Sequence, residues 1–255
     1  MAERDEIVKF LNGLLQPQNY RDRCPNGLQV YGRKEVQRMT TCASVSHEFF
    51  RQSQEVGADM LLVHHGLFWD SFSLVIDPLL AQRLRILLDQ EMNLIAYHLP
   101  LDAHSQYGNN AQLAQVMQLQ NLDFNFGNYH GTPIGCFGNL SVPFSFKELV
   151  SHLSERVSST LRVFDYGKQK VSRIGIVSGG AGDIPFLLEA KQTECEVYVT
   201  GAMFEQAVAI AQEAQINVVE LGHYNSEKLG VVALGEIIKQ HFGIDVINID
   251  ITNPV

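Results

Sequence analysis

The chain has 255 residues, of which 45% are hydrophobic and 18% are charged, and its formal net charge at pH 7 is −9. This composition favours a soluble globular protein with one large domain or two smaller ones, and the chain is long enough to bury a sizeable core. An acidic chain without a basic run repels phosphate backbones, which disfavours general nucleic-acid binding, and no apolar run is long enough to span a bilayer.

The cysteines and the first residues indicate the compartment. Cys24, Cys42, Cys136 and Cys195 are scattered and show no Cys-x-x-Cys spacing, so we interpret them as reduced packing residues. The opening residues are charged and contain no apolar signal core. We therefore expect a cytoplasmic protein.

Hydrophobic spacing predicts alternating helices and strands in the first half of the chain. Apolar residues recur at helical spacing from residue 5 to residue 15, and Pro17 follows. Ser46 can cap a helix that runs to about Val56, and Asp77-Pro78 opens another helix. The remaining predicted elements are strands at 27–31, 39–45, 60–63 and 94–97 and a helix at 109–119.

The composition changes near residue 125, where Asn125–Gly138 is rich in glycine, asparagine and aromatic residues. We therefore predict a first α/β lobe at 1–126, a second α/β lobe at 127–214 and a C-terminal segment at 215–255 that returns to the first lobe. In this half, strands are predicted at 134–142, 161–164, 173–177, 197–200, 217–221 and 244–249. Helices are predicted at about 145–157, 203–214 and 227–241, with a further helix after the turn Ser178–Asp183. Asn225 or Ser226 can cap the helix at 227–241.

A faint internal repeat is visible in the order of these elements. A strand, a helix and a second strand lead to His64-His65-Gly66, and the same order later leads to Thr200-Gly201. Each copy continues through a helix and a strand, which end near His98 and His223 respectively. Two similar α/β halves explain the pattern, and chance similarity between βαβ units is the alternative.

The strongest single motif is the buried strand that runs into His64 and His65. Two imidazoles do not suit a dry core, because each ring must place one donor and one acceptor. Adjacent strand residues point to opposite faces, so both rings serve one pocket only if the strand ends at or before His64. Otherwise the rings serve two different ions, or they are structural histidines.

Further ligand-type residues follow two other predicted strands. These are His98, Asp102 and His104 after the strand at 94–97, and His223 and Glu227 after the strand at 217–221. In an open α/β sheet, ligands collect at the carboxyl ends of strands. Imidazole with carboxylate is the ligand set of Zn, Fe or Mn, and three histidines with two carboxylates suit two metal ions. Taken singly, Asp102 is typical of a turn and Glu227 of a helix N-terminus.

Three motifs match one family in the right order along the chain. They are Leu62-Val63-His64-His65-Gly66, Tyr97-His98-Leu99-Pro100-Leu101-Asp102-Ala103-His104 and Gly222-His223-Tyr224-Asn225-Ser226-Glu227. Together with the early stretch Cys24–Val30, they resemble the GTP cyclohydrolase type 2 homologue family, also called the Nif-three-like proteins. The resemblance covers essentially the whole chain.

The resemblance implies a two-lobed, three-layer α/β protomer with mixed sheets, a toroidal homohexamer and a dinuclear metal centre that faces the inner cavity. Carried over residue by residue, the implied metal ligands are His64, His65, Asp102, His223 and Glu227. His98 is left unused by this ligand set, and we interpret it as the candidate residue for proton transfer or for support of the ligands.

The sequence therefore predicts a hydrolase that uses two divalent ions, Zn, Fe or Mn, to activate water against a small nucleotide-like substrate. A non-enzymatic assembly that binds metal or a protein partner is the alternative. The turn Ser178–Asp183 can hold an anion on its backbone N–H groups, but tight packing is the favoured explanation for its glycines.

Overall fold

The computed structural model describes residues 1–71 and 75–255, and these form two compact units. The first unit comprises residues 1–101 and 230–252, and the second comprises residues 102–229 and 253–255. The chain thus divides after Leu101, whereas the sequence predicted a boundary near residue 126. The return to the first unit begins at Gly230 and not at residue 215, so His223 and Glu227 belong to the second unit.

The elements alternate along the chain much as the hydrophobic spacing predicts. In chain order the strands are β1 (Ala2–Glu3), β2 (Gly27–Val30), β3 (Glu35–Val36), β4 (Arg38–Ser44), β5 (Met60–His65), β6 (Asn93–Ala96), β7 (Gln120–Tyr129), β8 (Thr132–Ser145), β9 (Arg162–Phe164), β10 (Lys170–Val177), β11 (Val197–Thr200), β12 (Asn217–Glu220) and β13 (Asp245–Asn248). The helices are α1 (Arg4–Leu15), α2 (His47–Glu55), α3 (Pro78–Asp89), α4 (Leu99–Asp102), α5 (Asn109–Val116), α6 (Phe146–Arg156), α7 (Ile184–Gln192), α8 (Glu205–Ala214) and α9 (His223–Phe242), with a short 3-10 turn at Pro17–Asn19.

The first unit is built on a five-stranded sheet of order β13-β4-β5-β6-β2. The first four strands of this order are parallel, and β2 runs antiparallel to β6. The apolar run Met60–Val63 of β5 is fully buried in the middle of the sheet. A continuous apolar strand covered on both faces is typical of parallel sheets, and it delivers His64 and His65 at its carboxyl end.

The second unit is built on a six-stranded sheet of order β7-β8-β10-β11-β12-β9. Strands β10, β11 and β12 are parallel, while β8 and β9 run antiparallel to their neighbours β10 and β12. In each unit, three parallel strands joined by helices are followed by an antiparallel edge strand beside the third. The repeat predicted from the sequence is confirmed in the topology, and it makes β6 and β12, the strands before His98 and His223, equivalent.

The short elements β1, β3 and α4 were not predicted, and β7 and α9 differ from the prediction for identifiable reasons. Strand β7 was not predicted, because two register shifts, between Gln120 and Asp123 and between Asp123 and Phe126, interrupt its two-residue alternation. Helix α9 begins at His223, although the sequence suggested a start near residue 227. Gly222 accepts the first helical hydrogen bond, from the N–H of Ser226, so the expected cap lies inside the helix.

Two further expectations can be compared with the described residues. All four cysteines are buried, as expected for packing residues. Among residues 1–71 and 75–255, no helix combines the length and apolar character needed to cross a membrane.

Candidate metal centre

His64 is positioned by the end of β5 and by the neighbouring strand. Its side chain is completely buried, and its Nδ1 lies 2.9 Å from the carbonyl oxygen of Tyr97. A carbonyl oxygen only accepts, so Nδ1 donates the proton, and in the neutral ring Nε2 then carries the lone pair. Tyr97 is itself fixed by a 2.7 Å hydrogen bond from its hydroxyl to Asn12. The fold thereby sets the tautomer that a metal ligand requires.

His65 continues the same strand, and yet its ring lies beside that of His64. The two ring centroids are 4.6 Å apart and the planes are tilted by 54°. The Nδ1 of His65 lies 2.8 Å from the hydroxyl of Ser44, the residue paired with it in β4. Strand β5 extends through His65, and the two rings nevertheless lie side by side. The condition that the strand must end at or before His64 is therefore wrong.

His98 follows β6 and is held by a loop that precedes β2. The carboxylate of Asp22 accepts a 2.8 Å hydrogen bond from His98 Nδ1, and Asn26 Oδ1 accepts the backbone N–H of His98 at 2.8 Å. Burial alone would raise the pKa of Asp22, but hydrogen bonds from His98, Asn26 and the N–H of Leu99 outweigh it and lower the pKa to about 2. Asp22 is thus an anion that fixes the tautomer of His98.

The first unit brings these three histidines within reach of one metal ion. One nitrogen from each of His64, His65 and His98 lies within 4.8 Å of the others. Trp69 closes one side, with its ring edge-on to His98 at 5.0 Å and tilted against His65 at 5.9 Å. His98, which the sequence assigned to proton transfer, therefore lies close enough to share in metal binding.

The second unit buries the two predicted carboxylates. Asp102 is 4% exposed and its Oδ1 accepts hydrogen bonds from Asn109 at 2.8 Å and from the hydroxyl of Ser178 at 3.1 Å. Glu227 is 3% exposed and its Oε2 lies 3.0 Å from His223 Nε2, one turn earlier on α9. Because α9 begins at His223, both residues belong to the helix, and side chains four positions apart on a helix lie on the same face.

The glycine-rich turn packs against these side chains. Gly179 has φ +68, and a Cβ at this position would overlap Glu227 Oε1 and lie 3.3 Å from His223 Nε2. Its N–H donates to the hydroxyl of Ser226 at 2.9 Å. Only glycine leaves room for the carboxylate at this left-handed position, so close packing explains the turn. The next residue, Gly180, would place a Cβ at an ordinary 3.6 Å from His223.

His104 does not join these groups. Its Nδ1 accepts the backbone N–H groups of Gln106 and Tyr107, and burial lowers its pKa. Sequence reasoning missed Asp22, Ser178 and Gly179. The sequence analysis had noted the stretch Cys24–Val30 and the turn Ser178–Asp183, which lie beside or contain these residues. It could not identify their roles, because Asp22 bonds to His98 and Ser178 bonds to Asp102, and partners so far apart in the chain leave no local sequence pattern.

Comparisons with known proteins agree with the whole-chain pattern. A family model described as Duf34/NIF3 (NGG1p interacting factor 3) matches residues 2–254. A Pyrococcus horikoshii protein named GTP cyclohydrolase 1 type 2 homolog is 38% identical over 253 residues, which is 99% of this chain and 98% of that protein. An Escherichia coli protein of the same name is 34% identical over 250 residues, or 98% of each chain.

Solved structures share the fold over its full length. Protein ybgI, described as of unknown function, has a TM-score of 0.92 at 32% identity and covers 100% of both chains. The protein TTHA1606 from Thermus thermophilus has a TM-score of 0.88 at 30% identity, again over 100% of both chains. The mixed α/β architecture seen in this chain is therefore that of its structural neighbours.

Proposed function

The chain belongs to the Duf34/NIF3 family, and from that premise we propose that it is a metal-dependent hydrolase with two divalent ions per chain. The proposed ligands are His64, His65, Asp102, His223 and Glu227, and the proposed metals are Zn, Fe or Mn. Imidazole and carboxylate donors without a thiolate fit these ions.

The observation that supports this proposal best is the hydrogen bond from His64 Nδ1 to a backbone carbonyl. A fully buried imidazole whose Nδ1 donates must present its lone pair at Nε2, beside two further histidines. An oriented, neutral histidine of this kind is the arrangement found at metal sites, where the second nitrogen is held by a carbonyl or carboxylate.

When bound, two divalent ions would supply positive charge and lower the pKa of water toward neutrality. The chain's own residues would do the rest. The Nδ1–H of His98 donates a hydrogen bond to the Asp22 carboxylate, which leaves Nε2 as the atom that would accept or return a proton. Trp69 packs edge-on against the His98 ring.

For the substrate we propose a small nucleotide-like molecule, which rests on the names of the relatives. The net charge of −9 attracts anionic nucleotides poorly, so the metals must provide the attraction. The test is an assay of GTP, other nucleotides and simple phosphodiesters with Mn, Zn and Fe forms of the protein. Turnover should stop with chelator and in the double variant His64→Ala, Glu227→Ala. Equal turnover by that variant and the wild type contradicts the proposal, and capture of a protein partner without any turnover favours the non-enzymatic alternative.

We further propose a toroidal homohexamer in the cytoplasm, on the basis of family membership. Static light scattering at micromolar concentration should give about six times the mass of one chain. A monomer or a dimer under these conditions contradicts the assembly.

A further inference from the structure

One side chain of the first unit, that of Gln29, reaches from the edge of the sheet to the end of β5. Gln29 is half-buried and belongs to β2, the edge strand that pairs with β6. The register of this pairing shifts between Leu28 and Val30, so Gln29 is one residue in excess over β6. An extra residue of this kind forms a bulge, and bulges often redirect a side chain next to a functional site. The amide of Gln29 extends past β6 to the residues that follow β5.

The amide of Gln29 holds the turn that follows β5. Its Oε1 accepts the backbone N–H of Leu67 at 2.8 Å, and its Nε2 donates to the carbonyl oxygen of Pro25 at 2.8 Å. Leu67 is buried, and a buried N–H that loses its acceptor is costly, so this bond fixes the turn. A Cβ on Gly66 would overlap both polar atoms of the amide and the Cβ of Ala96. Glycine is therefore the residue that fits between the amide and the neighbouring strand.

Two aromatic rings take their positions from this turn. The Nε1–H of Trp69 donates to the carbonyl oxygen of Gly66 at 3.1 Å. The centroid of the Trp69 ring lies 5.9 Å from that of His65 and 5.0 Å from that of His98. Gly66 follows His65 in the chain and is hydrogen-bonded to Trp69. A displaced turn would therefore change how both rings pack against His98.

The segment that carries Gln29 also holds the end of the neighbouring strand. Asp22 accepts the Nδ1–H of His98, and Asn26 accepts its backbone N–H. Gln29 adds the end of β5, so residues 22–29 connect to both strand ends that carry histidines. A binding site is precise when its side chains are held by further hydrogen bonds of this kind.

We propose that Gln29 is a positioning residue of the metal centre, which acts through Gly66 and Leu67 to hold His65 and Trp69 in place before a metal ion binds. This inference rests on the proposed function, because it takes His65 to be a metal ligand. Groups that orient metal ligands from behind typically change metal affinity tenfold to a hundredfold when they are removed, which is about the effect expected here.

The single tryptophan of the chain gives a readout that needs no metal, because the indole N–H of Trp69 yields one resonance in a proton–nitrogen NMR spectrum. In metal-free Gln29→Met this resonance should shift, and its exchange with solvent should be about tenfold faster, because the turn has lost a hydrogen bond. In the same variant, the Zn affinity measured by calorimetric titration should fall about tenfold or more.

Val30→Ala is the matched control for a change that only destabilises. Val30 lies in the same strand and is 6% exposed, so its truncation leaves a cavity without removing the amide. The Trp69 resonance, its exchange rate and the Zn affinity should all stay at the wild-type values. If Gln29→Met does not fold, as judged by circular dichroism, Gln29→Asn decides. Its shorter amide does not reach the N–H of Leu67, so it should produce the same changes.

Three results overturn the proposal. They are an unchanged Trp69 resonance and exchange rate in the Gln29 variant, wild-type Zn affinity in that variant, or a loss of Zn affinity that Val30→Ala matches. A wild-type protein that binds no Zn contradicts the proposed metal centre and with it the effect on metal. In that case the Trp69 measurement separately decides whether Gln29 holds the turn.

Discussion

At the scale of single residues, the Nδ1 atoms of the histidines determine what each ring can do. His64 donates from Nδ1 to a carbonyl and His98 donates from Nδ1 to Asp22, so both present Nε2 as an acceptor. In His104, by contrast, Nδ1 accepts two backbone N–H groups. The sequence shows nine histidines but not these partners. Tertiary contacts therefore separate ligand-type histidines from structural ones.

Asp22 should make stability depend on pH. Its pKa is about 2 in the folded protein against an ordinary value of 3.8, so the folded state holds the proton more weakly than the unfolded state. The resulting stabilisation, about 2 kcal/mol, is fully present above pH 4 and is lost as the pH falls toward 2. Urea unfolding of the wild type and Asp22→Asn between pH 7 and pH 2.5 should show a difference that shrinks over this window.

Asp70→Asn is the control for this experiment, because the pair between Asp70 and Arg23 is exposed and contributes little. It should differ from the wild type by less than about 1 kcal/mol, with the same small value at every pH. A wild-type advantage over Asp22→Asn that stays constant down to pH 2.5 would show that the carboxylate of Asp22 is not held as an anion by His98 and its neighbours.

Gly179 should be sensitive to the smallest possible substitution. In Gly179→Ala the new Cβ meets Glu227 Oε1 at a left-handed backbone position, so both the backbone and the carboxylate must shift. We expect a loss of about 2 kcal/mol or more in unfolding free energy and weaker metal binding, measured by urea unfolding and by calorimetric titration with Zn. Gly180→Ala, whose Cβ makes an ordinary contact, should change either quantity little. Equal behaviour of the two variants contradicts this account of the turn.

At the scale of elements, the hydroxyl of Ser226 connects the start of α9, which carries two of the predicted ligands, to the glycine-rich turn. The hydroxyl of Ser226 donates to the carbonyl of His223 and accepts the N–H of Gly179, so it links the first turn of the helix to the glycine-rich turn. The sequence pattern offered Asn225 or Ser226 as the helix cap, because asparagine and serine are common at that position. The cap pattern cannot reveal that the hydroxyl serves a distant strand end instead.

Ser226→Ala should therefore affect more than helix stability. The buried N–H of Gly179 loses its acceptor, which costs about 1–3 kcal/mol, and His223 and Glu227 lose their anchor to the turn. Ser46→Ala is the matched control, because Ser46 is an ordinary N-cap that accepts the N–H of Phe49. It should cost about 1 kcal/mol and leave Zn affinity unchanged. Thermal melts measure the stability of both variants, and Zn titrations measure their metal affinity. Unchanged Zn affinity in Ser226→Ala would contradict a role for this link in the metal site.

The strands show where sequence reasoning succeeds and where it fails. The buried run of β5 and the match of β11 to residues 197–200 follow from continuous apolar residues. The prediction missed strand β7, because Gly127 has φ +72 and the register shifts twice, which interrupts the alternation of its side chains. Its glycine and asparagines resemble a linker in composition, and the predicted domain boundary was placed there for that reason.

At the scale of the whole molecule, the repeated topology could be predicted, but the division of the chain could not. Helices α4 and α9 each contain residues of both units, and the chain divides after Leu101 and after Leu229 without any change in composition. A boundary inside a regular helix leaves no glycine, proline or charge signal to read. The three parallel strands of each unit and the helices that join them, however, follow from hydrophobic periodicity.

The central claim, that His64, His65, Asp102, His223 and Glu227 together hold two divalent ions, is tested most directly by metal analysis of the purified protein. Elemental analysis of the wild type should give two metal ions per chain. His65→Ala and Glu227→Ala should each lose most of the metal and remain folded, while His47→Ala, a change at an exposed histidine, should retain it. Two metal ions per chain in both His65→Ala and Glu227→Ala, or none in the wild type after incubation with Zn, Fe or Mn, would contradict the claim.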